Sequence, residues 1–403
     1  MKFGGSSLAT SDRIRAVAAK VAAVHAETGR VVVVVSAMGK TTDELVALAG
    51  SVSGAPAPRE LDVLLTAGER ISIALLAIAL EARGIPAVSM TGRQCGILTE
   101  GPHTRASIVE IQPERVRQAL DESRVVVVAG FQGMDRNGDV TTLGRGGSDT
   151  TAVAMAAALG ASTCDIYSDV DGVYSADPRL CPRARHRGAI DYDTMQELSR
   201  QGARVLHAGA VEHARRAGVT IRARATFGSP ARTLIGAPRK LARRAASLDV
   251  AGADALAVTG RRDLIRIRAY DTEVAIALRA ELGDRVPLLS VQAHDSGDEL
   301  WAVTEELPDA RAFARGLEAR WPGRVDALAG LGSVAIVAPR AGERARDLLA
   351  STLQGNGIAM HAQALTPCAA VAMIDAAHVD DAVRALHCVA IESVDEELST
   401  CAS

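Results

Sequence analysis

Residues 140–160 read VTTLGRGGSDTTAVAMAAALG, and the fold turns on how that stretch is understood. It opens on a short β-prone piece from Val140. It then passes through Gly144, Arg145, Gly146, Gly147 and Ser148. From Asp149 to Leu159 it has the alanine-rich composition of a helix. A strand, a glycine turn and a helix in that order bring unpaired amides and the positive end of a helix dipole to one point, which favours an anion. A glycine turn alone is most often just a tight turn. This one also holds an arginine, a serine and an aspartate, and the guanidinium of Arg145 suits a carboxylate. The stretch predicts a place where a phosphate and a carboxylate meet.

Around it lie 403 residues, room for two or three domains. A hydrophobic share of 48% and a charged share of 23% exclude a disordered chain, and a net charge of −3 excludes a general nucleic-acid binder. Lysine occurs only at Lys2, Lys20, Lys40 and Lys240, so a lysine at a site is informative where an arginine is not. Cys95, Cys164, Cys181, Cys368, Cys388 and Cys401 have no metal-ligand spacing and predict reduced thiols. The chain begins on a glycine motif, so no secretory leader is expected, and its uncharged apolar runs are too short for a bilayer. A soluble, cytoplasmic protein with no membrane or nucleic-acid partner is expected.

Upstream of the central stretch, Gly4-Gly5-Ser6-Ser7 precedes an amphipathic helix and forms a second candidate phosphate loop, with Lys2 just ahead of it. The valine run Val31–Val35 predicts a strand buried on both faces, as in a parallel sheet, and Val125–Ala129 predicts another. Ligands of such sheets bind beyond the carboxyl ends of the strands, which makes Ser36 and Thr42 candidates. Thr41 or Thr42 is also expected to cap the next helix. Glu69 lies where a long helix, Leu61–Arg83, turns apolar; an exposed helix glutamate is the default expectation there, and a partner for a substrate ammonium group is the alternative. Thr91–Arg105 predicts a loop, and Asp135–Asp139 a hairpin turn. After the strand Cys164–Ser168 come Asp169, Asp171, Tyr174, Asp177 and Arg179, residue types that suit a nucleotide and a magnesium-bound water. Gly202–His207 is expected to open a further helix.

Strands alternating with helices to about Gly236 predict an α/β domain. A basic linker near Pro238–Arg244 follows. Shorter units then run to Ser403, including strands Ala255–Val258, Leu264–Ala269 and Val334–Val337. They form two βαββαβ-like repeats of roughly 70 residues, expected to pack sheet to sheet.

In order, KFGGSS (2–7), VVSAMG (34–39), TTDEL (41–45), LLTAGER (64–70), GFQG (130–133), TTLGRGGSDTTA (141–152) and IYSDVDGVYSADPR (166–179) resemble the aspartokinases of the amino acid kinase family. The resemblance is dense from Lys2 to about Gly236. It implies a three-layer αβα catalytic domain over residues 1–238, with a mainly parallel sheet. It also implies two α+β ACT-like regulatory units over residues 246–403, a homo-oligomer built through them, and ATP and Mg²⁺ as cofactors. The implied activity is phosphorylation of the β-carboxylate of L-aspartate. By the same resemblance Lys2 neutralises the transferring phosphoryl group, Asp149 orients that lysine, and Gly4, Gly5 and Ser6 form the phosphate loop. Ser36, Thr42, Glu69, Phe131, Arg145 and Ser148 take aspartate, with Arg145 on the α-carboxylate and Glu69 on the ammonium. Ser168, Asp169, Tyr174, Asp177 and Arg179 form the ATP pocket, and no side chain is assigned as a direct metal ligand.

Three departures from the family pattern stand out. Arg204 replaces a lysine of the ATP site. The first strand, Met1–Phe3, is short. The regulatory half lacks the usual effector motifs, with Ala269–Thr272, Gln292-Ala293 and Thr366-Pro367-Cys368 in their places, so weak or absent inhibition by lysine and threonine is expected. The alternatives are a kinase of another free amino acid and a non-catalytic ACT-containing partner. Glu69 with Arg145 favours a free α-amino acid over an N-acylated one.

Overall fold

A valine run with no polar alternation must be covered on two sides. The computed structural model, which describes residues 1–238, 257–283, 286, 288–294, 297–305, 307 and 309–392, places both runs side by side within an eight-stranded sheet. Two compact units are present, and each is described by itself.

The first unit contains β1 (Lys2–Phe3), α1 (Ser11–Thr28), β2 (Val32–Val35), α2 (Thr41–Val52), α3 (Pro58–Glu81), β3 (Ala87–Met90), β4 (Ile97–Glu100) and β5 (Ser107–Ile111). It continues with α4 (Glu114–Asp121), β6 (Val125–Ala129), β7 (Gln132–Met134), β8 (Val140–Thr142), α5 (Gly147–Ala158) and β9 (Thr163–Ser168). The chain leaves this unit near β10 (Val173–Tyr174) and returns near β11 (His186–Arg187). It closes with β12 (Ala189–Asp191), α6 (Tyr192–Arg200) as far as Gln196, α7 (Ala208–Ala217), β13 (Thr220–Ala225) and β14 (Arg232–Gly236). The large sheet runs β12-β14-β13-β9-β1-β2-β6-β3, and every pair is parallel except β13 with β14.

Successive strand residues point to opposite faces. Phe3, Val33, Val35, Val125 and Val127 join α1 and α3 in one core, where Phe3 stacks on Tyr167 at 4.7 Å. Each such buried side chain contributes about 1.5–3 kcal/mol. Lys2 therefore points to the other face, toward α5. A four-stranded sheet, β5-β4-β7-β8, delivers the chain into the glycine stretch.

Several local expectations are corrected. Thr91–Arg105 contains a strand, β4, and β5 and α4 follow it where local pattern is weak. Neither Thr41 nor Thr42 caps α2, whose N-cap position is Lys40, without a side-chain bond. The helix expected from Gly202 begins at Ala208, with His207 as its cap. α3 is long and apolar enough to cross a bilayer by length and composition, although Glu69 and Arg70 interrupt its apolar run. It packs against α1 and buries Leu65, Ile73, Leu76 and Leu80 together with Asp62, Thr66, Glu69 and Ser72.

The second unit takes Tyr174–His186, Glu197–Ala203 and the C-terminal part of the chain. The span 1–238 thus contributes two segments to it. Its sheet runs Leu288–His294, Gly297–Val303, Ala257–Ala269, Val325–Val337, Ala369–Asp375 and Ala362–Thr366, all antiparallel. The central pairing runs from Ala257 opposite Val337 to Ala269 opposite Val325, which relates the two repeats by an approximate two-fold axis. Helices Thr272–Gly283 and Ala310–Arg320 belong to the first repeat, and Glu343–Gly355 and Val379–His387 to the second.

The repeats are therefore joined side by side in one sheet, not stacked sheet to sheet. The two strands expected at Ala255–Val258 and Leu264–Ala269 are one, with a register shift between Arg261 and Leu264. Residues 255 and 256 lie outside the described residues, as does the greater part of the expected linker, from residue 239 on. Gly260 lies inside the strand opposite Val334, and a Cβ there would lie 2.7 Å from Val379 Cγ1.

The excursion Tyr174–His186 is built into this unit's core through Ala176 and Cys181. Ser175 Oγ accepts from Arg185 N at 2.8 Å and meets His387 Nε2 at 2.9 Å, while His387 Nδ1 meets Glu392 at 2.9 Å. A single π-helical turn, Cys388–Glu392, follows His387 and brings Glu392 back to it. Cys95, Cys164 and Cys181 are buried free thiols, and Cys401 lies outside the described residues.

Candidate active site

Lys2 occupies a two-residue strand held on both sides, with Val34 and Ile166 as its neighbours in register. Its ammonium nitrogen lies 2.6 Å from Asp149 Oδ1, and both side chains are nearly buried. Asp149 is in the first turn of α5, where a negative charge is favoured by the helix dipole. The N-terminus of α5 carries no side-chain cap. Its cap residue, Gly146, has φ +69°, and the ring of His207 fills the space a Cβ would need. Gly144 has φ +70°, so Arg145 stands exposed between two left-handed glycines. Ser148 is buried beside Gly130, where any side chain would strike it at 2.8 Å.

Phe131 is a non-glycine residue at φ +69°, a strained conformation. Its amide donates to Thr151 Oγ1 at 3.1 Å, and Thr151 donates to Gly147 O at 2.8 Å. Those bonds hold the GFQG turn against the start of α5.

The second glycine loop continues the site. Gly4 N donates to Tyr167 O at 3.2 Å, and a Cβ on Gly4 would lie 3.6 Å from Lys2 Nζ. Gly5 packs so closely on the Ser36–Gly39 turn that a Cβ would meet Ala37 O at 2.7 Å. Ser6 O accepts from Arg13 Nη1. Ser36 N donates to Phe3 O at 3.2 Å, and Thr42 is half-buried in the first turn of α2.

Glu69 is 2% exposed. One carboxylate oxygen accepts from Ala37 N at 2.9 Å, and the other has no hydrogen-bond partner among the described residues. Burial pushes this carboxyl up to about 7, against the pull of the Ala37 amide. Gly68 allows the approach, since a Cβ there would lie 2.7 Å from Ala37 Cβ.

Lys2, Gly4, Gly5, Ser36, Glu69, Phe131, Arg145, Ser148 and Asp149 thus gather near the carboxyl ends of β1, β2 and β6 and the start of α5. Ser168 ends β9 and bonds with the backbone of Val170, and Asp169 is exposed beside it. Arg204 is exposed in the turn before α7. Tyr174, Asp177 and Arg179 belong to the second unit. There Tyr174 meets the His186 ring edge-on at 5.3 Å, and Arg179 pairs with Asp177 at 2.7 Å, holding the Asp177 carboxyl below its usual range. His207 and Thr151 join the site from positions whose local pattern is that of a cap or core residue.

Fold and site define a three-layer α/β protein with two glycine loops and a buried Lys–Asp pair at the carboxyl ends of its parallel strands. The profile of the amino acid kinase family matches residues 1–224, and the chain belongs to that family. It is 53% identical over 235 residues to an aspartokinase of Mycolicibacterium smegmatis, covering 58% of this chain and 56% of that one. It is 51% identical over 234 residues to an aspartokinase of Thermus thermophilus, covering 58% of each. The chain thus spans little more than half the length of these relatives.

Aspartokinase III of E. coli, solved with aspartate and ADP in the R-state, superposes with a TM-score of 0.80 at 21% identity, over 96% of this chain and 98% of that one. At that identity the likeness is one of fold. Aspartate kinase from Synechocystis has a TM-score of 0.54 at 35% identity, over 96% of this chain and 68% of that one.

Proposed function

We propose that the chain is an aspartokinase, transferring the γ-phosphoryl group of ATP to the β-carboxylate of L-aspartate. The observation that carries this is Glu69. A carboxylate buried to 2% exposure, with one oxygen unpartnered among the described residues, is costly unless a cation meets it. The α-ammonium of an amino acid is such a cation, and Arg145 offers the matching partner for the α-carboxylate. The 53% identity to the M. smegmatis aspartokinase supports the choice of aspartate.

The attacking β-carboxylate is ionised at neutral pH and needs no general base. Its oxygen forms a bond to the γ-phosphorus as the bond to the β,γ-bridging oxygen breaks, giving 4-phospho-L-aspartate and ADP. The difficulty is to bring two anions together in line. Lys2 places a positive charge there, and Asp149 holds it in place. Gly4, Gly5 and Ser6 and the uncapped start of α5 supply amides for the phosphates. Ser36, Thr42, Phe131 and Ser148 shape the aspartate side.

Ser168, Asp169 and Arg204, with Tyr174, Asp177 and Arg179, are assigned to ATP by the family resemblance. Mg²⁺ is read as arriving with the nucleotide, held by its phosphates. Asp169 is the carboxylate that would hold one of its waters, and the ion supplies charge neutralisation on the phosphate oxygens. Residues 1–238 are read as the catalytic domain and 246–403 as a divergent ACT-like region through which the chain self-associates.

The test is ATP- and Mg²⁺-dependent hydroxamate formation from L-aspartate, with and without lysine plus threonine. Turnover indifferent to both amino acids is expected. Turnover that either one suppresses overturns the regulatory part of the proposal, and absence of turnover overturns the acceptor assignment.

A further inference from the structure

Asp62 takes no part in the site described above, yet its side chain is wholly buried. It lies near the start of α3 and gathers three donors from two other elements. Thr142 Oγ1 donates to Oδ1 at 2.5 Å, Thr104 N donates to Oδ1 at 3.0 Å, and His103 Nδ1 donates to Oδ2 at 2.7 Å. A carboxylate removed from water needs such partners, and each partner is fixed in return. Thr142 is the last residue of β8, immediately ahead of the glycine loop. His103 and Thr104 belong to a strap, residues 101–105, between β4 and β5.

The strap is pressed against the glycine loop. Thr104 is held at φ +71°, unfavourable for a β-branched residue and sustained only by its surroundings. Ala106 N donates to Thr142 O at 2.9 Å. A Cβ on Gly144 would lie 3.3 Å from Thr104 O and 3.9 Å from Arg105 Cγ. The backbone of the strap is thus the wall behind Gly144, and Gly144 precedes Arg145.

We infer that Asp62 is a positioning residue: by tying His103, Thr104 and Thr142 together it fixes the strap behind Gly144, and so sets the conformation in which the loop presents Arg145 to the substrate carboxylate. This rests on the reading of Arg145 as the carboxylate partner. A purely structural role for Asp62 would loosen the unit as a whole. A positioning role loosens the loop and leaves the central strands alone.

The test uses the full chain as wild type, Asp62→Asn and Thr142→Val. The second variant removes a single hydroxyl at constant shape, and carries the test if the first does not fold. Amide hydrogen exchange without ligand is read peptide by peptide. Exchange over residues 143–148 is expected to speed up about tenfold, the effect of losing one net hydrogen bond, with β2 and β6 unchanged. In the assay, KM for aspartate is expected to rise about tenfold, with KM for ATP constant to within about twofold. Unchanged protection of residues 143–148 in a folded variant, or equal loosening of β2 and β6, overturns the inference. If the wild type turns over no aspartate, the proposed function fails by itself, and the exchange measurement still decides the role of Asp62.

Discussion

Lys2 Nζ and Asp149 Oδ1 are 2.6 Å apart, although 146 residues of sequence lie between them. One sits on a strand two residues long, the other in the first turn of α5, and neither is easily reached by water. Removing either partner leaves a buried charge without compensation, at a cost of about 3–5 kcal/mol.

Lys2→Ala should therefore lower both activity and stability. We expect kcat to fall by about 10²–10³, with KM for aspartate little changed. Lys2→Ala combined with Asp149→Ala should recover much of the thermal stability and none of the turnover. Steady-state kinetics with a thermal melt on the three proteins checks this. Near-normal turnover of Lys2→Ala would remove Lys2 from the chemistry.

Glu69 gives the site a pH dependence. Its carboxyl is raised from 4.5 to about 7 by burial, so the folded protein holds that proton where the unfolded chain has lost it. The stability it contributes is full below about 4.5 and is lost as pH rises to about 7, on the order of 3 kcal/mol in all. Binding an ammonium requires the ionised form. So kcat/KM for aspartate should rise with pH up to about 7 and level off above it. Glu69→Gln should flatten both profiles, lower kcat/KM about 100-fold, and stabilise the protein at alkaline pH. A wild-type profile without a step near neutrality would contradict this.

Gly146 combines a left-handed φ of +69° with a ring, that of His207, where a Cβ would go. Gly146→Ala should cost about 1–3 kcal/mol from the backbone alone, and lower the melting temperature by several degrees. Pairing it with His207→Gly should relieve the collision and leave the backbone cost. A melt of the single and double variants separates the two contributions.

In the second unit, Ser175 joins the amide of Arg185 to His387, and both Ser175 and His387 are fully buried. Ser175→Ala should destabilise the protein by about 1–3 kcal/mol by leaving the Arg185 amide and the imidazole without that partner. His387→Ala should cost at least as much, because it adds a cavity. Denaturant titration of both variants measures this, and a change within error for each would show that the contact is not held in solution.

Much of the fold was legible because it follows from local pattern. Valine runs without alternation can only be buried on two faces, and they appear inside a parallel sheet. The Asp135–Asp139 turn forms the expected hairpin, with Asp135 N donating to Asp139 O at 2.9 Å. The ~70-residue repeat is present because each unit's strands and helices recur in the same order. Motifs also supplied the residues of the candidate site, since glycine loops and isolated lysines carry information in their identity.

Tertiary structure decided what depends on contacts distant in sequence. That Gly260 to Asp263 lies inside a strand follows from pairing with Leu331–Val334, about seventy residues away, and Val379 leaves no room for a side chain at Gly260. Whether Asp62 is a surface carboxylate or an anchor depends on a strap and a strand that pattern alone does not place beside it. The excursion Tyr174–His186 follows a strand of the first unit in sequence, yet its apolar side chains are buried in the core of the second. Local sequence fixes propensity and chemistry; which polar group is buried, and what answers it, is set only when distant segments compete for the same space.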